Sequence, residues 1–330
     1  MATRSERKEV ARRRLVNILQ KHTVALGRTL EQKIADAGPY NQRIDPHILT
    51  EARRELIKEG RIIRLTKRNI PWFHLDNTPP TTLTERLQEQ EPIHQAIMRQ
   101  AFTKRVGQAL EIAAYRALCS QETLESFGRF HDLETHDDST LFRKEEPPTG
   151  ISGREIPGDR KLDFLARHST AGWVGIEIKN IREWMYINRL EVKELLAKCL
   201  YLNAVPVLIA RRIPYVTRRI LKPCGVLVWE TYNQRYPAAD HELATKARDK
   251  NLLGFHDIRL GNEPGPYLTK FISEILPEEL PDARGRFDNY NDLLQGYAID
   301  GMSYEEFAAR VRRREQGTRE DDDWEDEGPC

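Results

Sequence analysis

Cysteine is scarce in this chain. Four cysteines stand in 330 residues, at 119, 199, 224 and 330. None are close together, which argues against a zinc knuckle or a disulfide framework. Long apolar runs are missing as well. No stretch approaches the roughly 20 residues needed to span a bilayer, and the basic segment Met1–Arg14 lacks the apolar core of a secretory signal. A cytoplasmic protein with no membrane partner is expected. The nine histidines show no metal-ligand spacing, and no internal repeat is visible. What remains is polar material, with 39% hydrophobic and 31% charged residues and a mean hydropathy of −0.65. Apolar runs such as Val205–Ala210 and Gly225–Trp229 are still sufficient to seed a core. The length exceeds that of one typical domain and fits two with short appendages.

The net charge of +1 hides an asymmetry. Residues 1–75 carry 17 Lys and Arg against 8 Asp and Glu, a net of +9, whereas residues 315–330 carry one Arg against 8 acids. A basic head calls for a polyanionic partner. The acidic tail, 315–330, has too little apolar material to fold and is expected to be disordered.

The head reads as three helices and a hairpin. Ser5 is a candidate cap for a helix to about Lys21, and Thr29 for a second helix, Leu30–Ala37, ended by Gly38-Pro39. Asp45-Pro46 starts a third helix that runs to Glu59 and is closed by Gly60. Arg61–Leu65 and Ile70–Leu75 then alternate as two strands. The pattern looks like a winged helix-turn-helix over residues 1–75, a module for binding duplex DNA or for dimerisation. Arg43, Arg53, Arg54, Arg64, Lys67 and Arg68 are its candidate DNA contacts.

Residues 76–91 read as a linker, with a helix beginning near Thr84, and a long helix is expected over Glu91–Cys119. Residues 131–160 read as an irregular excursion rich in Asp, Glu, Pro and Gly. From Lys161 the pattern becomes strand (161–166), strand (173–179), helix (189–202), strand (205–210) and strand (225–230). Apolar strands around an intervening helix make an α/β body with a mixed sheet over 92–260. A helical extension follows over 261–314, with Ser303-Tyr304-Glu305-Glu306 as a capping box. Trp72, Trp173, Trp184 and Trp229 are expected in the core or at its rim. Lys193 and Lys198 are expected as solvated helix positions.

The chemistry concentrates in Lys161-Leu-Asp-Phe-Leu-Ala166 and Trp173-Val-Gly-Ile-Glu-Ile-Lys-Asn180. On a strand, Glu177 and Lys179 share one side while Ile176 and Ile178 take the other. If the two segments form a hairpin, Asp163 meets Glu177. Paired carboxylates beside a lysine are costly in a core but suit a hard divalent cation, with the carbonyl of Ile178 as a further ligand. Glu111, an acid amid Leu110, Ile112, Ala113 and Ala114 on the long helix, is placed to add a third carboxylate.

Asp163, then Glu177-Ile-Lys179, with Glu111 on a preceding helix, resembles the PD-(D/E)XK nuclease superfamily. Within it the body is most similar to archaeal Holliday junction resolvases, which also carry a Gly and a Glu on the first helix and a helix and a Pro-Val-Leu strand after the Glu-x-Lys. Here these are Gly107 and Glu111, then Val205-Pro-Val-Leu208. The resemblance covers about 104–232. It implies a restriction-endonuclease-like fold and Mg²⁺-dependent cleavage of DNA, with Mn²⁺ able to substitute and no organic cofactor. It also implies metal binding by Asp163 and Glu177, catalysis by Lys179 and assistance from Glu111. Glu191 stands where many relatives carry Gln. The setting implied is restriction, defence, or repair and recombination. The alternative is a DNA-binding regulator whose nuclease-like body no longer cuts. Cutting both strands of a duplex calls for two active sites, and therefore for a homodimer.

Overall fold

The computed structural model describes residues 3–35 and 44–318. The chain is α/β, and its contacts divide it into two compact units: residues 1–103 with 240–258, and 104–239 with 259–330.

In the first unit, α1 (Arg4–His22) begins at Thr3, whose hydroxyl accepts the Glu6 N–H while the Glu6 side chain accepts the Thr3 N–H. The expected cap, Ser5, lies inside the helix. β1 (Val24–Leu26), which was not expected, leads into α2 (Gly27–Ile34), and the anticipated stop at Gly38-Pro39 lies outside the described residues. α3 (Pro46–Lys58) starts after Asp45 and ends before Gly60, at φ +75°. β2 (Ile62–Lys67) and β3 (Ile70–Leu75) pair antiparallel, and β1 adds to the far side of β3. The turn residues Arg68 and Asn69 both have positive φ, as a two-residue hairpin loop of primed type requires. Leu15, Leu19, Leu30, Ile34, Leu49, Leu56 and Trp72 form the buried centre.

Residues 76–91, read as linker, are helical from Pro80 in α4 (Pro80–Met98). The single helix expected over 91–119 is broken at Arg99, whose ψ of 132° is extended, and resumes as α5 (Gln100–Cys119).

The second unit is built on a five-stranded mixed sheet. β4 (Leu124–Phe127) is its edge. Two short ladders follow, β5 (Arg129–Phe130) with β6 (Lys144–Glu145) and β7 (Gly150–Ile151) with β8 (Arg154–Glu155), so the excursion expected over 131–160 is irregular apart from these short strands. β9 (Phe164–His168) and β10 (Gly172–Lys179) form an antiparallel pair with Phe164 opposite Ile176. After α6 (Leu190–Leu202), β11 (Val205–Ala210) lies parallel to β10. α7 (Tyr215–Leu221) leads to β12 (Leu227–Glu230), parallel to β11, giving the order β12-β11-β10-β9-β4. The chain continues through β13 (Gln234–Tyr236), α8 (His241–Arg248) and β14 (Ile258–Leu260). Residues 240–258, read as part of the nuclease-like body, pack with the first unit. There the side-chain amide of Gln32 lies 3.2 Å from the His256 ring, and Lys33 donates to the Lys250 carbonyl at 2.8 Å.

α9 (Pro266–Lys270) continues through one wide turn, 271–275, into α10 (Leu276–Asn289), within the helical extension expected over 261–314. α11 (Asn291–Ala298) and α12 (Tyr304–Gln316) follow, and the Ser303 hydroxyl accepts the Glu306 N–H, one half of the expected capping box, while the Glu306 carboxylate pairs with Arg310. Of the acidic segment, 319–330 lies outside the described residues.

Strand alternation sorts the core into two layers. Phe164, Ile176, Ile178, Val207 and Ile209 face one layer with α5, α9 and α10. Leu165, Leu208 and Ala210 face the other with α6, α11 and α12. At Gly175 a Cβ would stand 2.4 Å from Cys199 Sγ, so glycine is what lets α6 lie close against β10. No described helix is long and apolar enough to cross a membrane.

Candidate active site

The carboxylates converge where β9 begins and β10 ends. Asp163 immediately precedes β9, and the register that sets Phe164 against Ile176 brings it opposite Glu177. Asp163 Oδ2 accepts the backbone N–H of Ile178 at 2.6 Å. A side chain thus extends the backbone ladder by one bond and fixes the carboxylate at the strand end. Ile178 sends its side chain into the core. Glu177 and Lys179 share the opposite face of β10, and Lys179 Nζ donates to Glu177 Oε1 at 2.5 Å and lies 3.9 Å from Asp163.

Two further lysines enter this cluster. Lys198, expected to be solvated, is 4% exposed. It donates to Glu177 Oε2 at 2.9 Å and to the Lys161 carbonyl at 2.8 Å. Its place on α6 turns it inward, because α6 packs directly on β10. Lys193 does fall on the more exposed side, with Nζ 4.4 Å from the Tyr297 ring centroid. Lys144, which no motif marked, comes from β6. Its Nζ lies 2.9 Å from Glu111 Oε2 and 3.7 Å from Asp163 Oδ1, and Glu146 stands 3.5 Å away. The rings of Phe130 and Phe164 close over it at 5.7 and 5.3 Å. Its only sequence signal is that it is the one lysine of residues 131–160, a stretch that also holds Arg143, Arg154 and Arg160.

The electrostatics follow from burial. Glu111 is pushed up to about 7, chiefly by desolvation and then by the charge of Asp163. Glu177 is raised for the same two reasons. Burial opposes the charge on Lys179 and Lys144, but the surrounding carboxylates outweigh it and raise both above the usual lysine value. Glu191, at the start of α6, is lowered by its contact with Arg189 at 2.5 Å.

The donor chemistry fits a hard divalent cation. Three carboxylates converge in a largely buried place, and a cation, the Lys144 ammonium, already sits between two of them. Among the described residues no group of three or more His, Cys, Asp or Glu is arranged to hold a metal ion.

In the first unit Arg54 and Arg64 are exposed. Arg53 instead packs over Phe73 at 4.6 Å, and burial lowers its guanidinium below the usual value. Lys67 and Arg68, at the hairpin tip, are both drawn to Glu91 of α4, at 2.5 and 3.3 Å. Arg43 lies outside the described residues. Much of the positive charge of α1 is spent internally, since Arg4, Lys8 and Arg12 pair with Glu51, Glu55 and Glu59 of α3.

Compared with known proteins, the chain matches no family model, no curated protein and no solved structure.

Proposed function

We propose that the second unit is a metal-dependent DNA endonuclease of the PD-(D/E)XK kind, on a restriction-endonuclease-like sheet, and that residues 1–75 form a winged helix-turn-helix that holds duplex DNA. The observation that carries the reading is the meeting of Asp163, Glu177 and Lys179 at one end of the β9–β10 pair, with Glu111 reaching the same place through Lys144. Mg²⁺ or Mn²⁺ would be held by Asp163 and Glu177, with the Ile178 carbonyl and Glu111 as further donors. Bound there, the ion would activate water and offset the charge that develops on a phosphodiester.

The protein's own groups have separate tasks. Lys179 is held protonated by its carboxylate neighbours, so it acts as a hydrogen-bond donor and positive charge toward a phosphate oxygen, not as a base. Lys198 pins one oxygen of Glu177 and so orients the other. Asp163 is oriented by the Ile178 N–H. A homodimer in the cytoplasm, acting in restriction, defence or DNA repair and recombination, completes the proposal.

One observation favours the alternative, a DNA-binding regulator with a non-cleaving body. The lysines already compensate the carboxylates, as a purely structural network would. Labelled DNA and RNA incubated with the full chain, with Mg²⁺ and with EDTA, separates the two. Mg²⁺-dependent cutting of DNA supports the nuclease, whereas binding without cutting in either buffer supports the regulator.

A further inference from the structure

The carboxyl ends of the three parallel strands, β10, β11 and β12, form one edge of the sheet. Lys179, Ala210 and Glu230 stand in one row across it. Beside that row, from Trp229 of β12 outward, the chain builds an aromatic stack. Phe271 and Trp229 are nearly parallel, with centroids 4.4 Å apart, and Tyr267 stacks on the other side of Trp229 at 4.5 Å. Tyr232 lies 5.9 Å from Tyr267, and the Arg212 guanidinium sits 5.1 Å from the Tyr232 ring. The stack is buried at its Phe271 end and open at the other, where Tyr232 and Tyr267 are 38% and 48% exposed.

Two features set this apart from incidental surface tyrosines. Tyr232 has a φ of +61°, a left-handed conformation that is costly for a bulky side chain. The backbone around it is pinned in place, with Thr231 N–H donating to Ala210 O at 2.9 Å and Tyr232 N–H to Arg211 O at 3.1 Å. The chain therefore carries strain at the residue that presents the ring. The second feature is charge. The segment Arg211–Lys222 contains four arginines and a lysine and no acid. Arg211 and Arg212 are buried and Arg218 pairs with Glu230, whereas Arg219 and Lys222 are exposed, as is Tyr215 at the start of α7, at 70%.

Flat rings open to solvent on the same sheet edge as the exposed Arg219 and Lys222 match one ligand chemistry: an unstacked nucleobase for the rings and its phosphodiester for these two cations. Bases within a duplex are covered by their neighbours and cannot offer a face. We propose that Tyr232 and Tyr267 form a stacking platform for an unpaired stretch of DNA, whose phosphates are met by the exposed Arg219 and Lys222. This deepens the nuclease reading and rests on it for the identity of the polymer, naming as substrate a DNA that carries single-stranded nucleotides.

The test is made on the full chain in EDTA, so that no cutting is required. Fluorescence anisotropy is measured with a fluorescein-labelled single-stranded oligonucleotide and with the same sequence as a blunt duplex. Tyr232→Ala with Tyr267→Ala should weaken single-strand binding roughly tenfold or more, as expected for lost base stacking, and change duplex binding less than about twofold. Tyr232→Phe with Tyr267→Phe keeps the rings and should bind the single strand as the wild type does. Equal losses on both probes, or no loss on the single strand, would overturn the platform. Photocrosslinking of the unmodified protein to a 5-iodouracil single strand needs no variant to fold. The crosslink should map to peptides holding Tyr232 or Tyr267, and mapping elsewhere would also refute the proposal. Mg²⁺-dependent cleavage can stand or fall independently of both measurements.

Discussion

Lys144 reaches across 33 positions of sequence to place its ammonium 2.9 Å from the Glu111 carboxylate, and in doing so it ties the excursion after β4 to the helix α5. The same ammonium lies 3.7 Å from Asp163. A positive charge thus stands where the proposed site would bring a divalent ion, and the carboxylates around it are held close together without one.

Lys144→Met should therefore act on the metal-free protein first. Removing one partner of a buried ion pair leaves uncompensated charge, at a cost of about 3–5 kcal/mol. The metal-free melting temperature should fall by several degrees. Added Mg²⁺ should then raise the variant's melting temperature by more than the wild type's, because the ion replaces the lost cation. Calorimetric melting in EDTA and in Mg²⁺ checks this, and an unchanged metal-free melting temperature would show that the lysine contributes nothing there.

Asp163→Asn and Glu177→Gln each remove a charge while preserving shape. Either should abolish Mg²⁺-dependent cleavage and leave duplex affinity in EDTA within about threefold, since the carboxylates serve the cation and not the phosphates. Gel cleavage assays beside anisotropy titrations make the comparison. Wild-type cutting by either variant would remove that residue from the site.

Glu111 titrates near 7 in the folded chain, above the unfolded value of about 4.5. The folded state therefore binds more protons than the unfolded state between these limits. The sign is that of a raised group: its contribution is full below about pH 4.5 and is lost as pH rises through about 7. Glu111→Gln cannot titrate, so the stability difference between wild type and variant should shift against the wild type from pH 5 to pH 8 in EDTA. Denaturant midpoints at each pH measure it, and parallel curves would place the Glu111 titration outside this window.

Arg54 and Arg64 are the exposed candidates in the basic head, whereas Lys67 is drawn to Glu91. Each phosphate contact contributes about −0.9 to the slope of log affinity against log salt. Arg54→Gln with Arg64→Gln should flatten the duplex slope by up to about 2, and Lys67→Gln should flatten it by less than about 1. Anisotropy between about 50 and 200 mM salt reads both, and an unchanged slope for the double variant would shift the head's role toward dimerisation.

Light scattering at micromolar concentration tests the homodimer. A monomer that cuts both strands of a duplex in one encounter would overturn it.

The period of two along Trp173–Lys179 was enough, without any tertiary information, to place Glu177 and Lys179 together and Ile176 and Ile178 apart. The spacing to Asp163 implied the hairpin that joins them. Asp45-Pro46, Gly60 and Ser303 marked helix ends for the same reason, since caps and alternation act over a few residues and leave a local trace. Tertiary packing decided the rest. Nothing near Lys144 in sequence says that it will meet Glu111, because that contact depends on how β6 pairs with β5 after an irregular stretch. Lys198 turned inward because α6 lies against β10 at Gly175, a close approach that helical periodicity alone does not reveal. Arg99 breaks what hydrophobic pattern joins, and residues 240–258 leave the body they follow in sequence. The stack of Tyr232, Tyr267 and Trp229 draws on segments that come together only when the parallel strands align at their carboxyl ends. Contacts of this kind are set by which surfaces bury one another across the fold, and single positions of the chain carry no record of their distant partners.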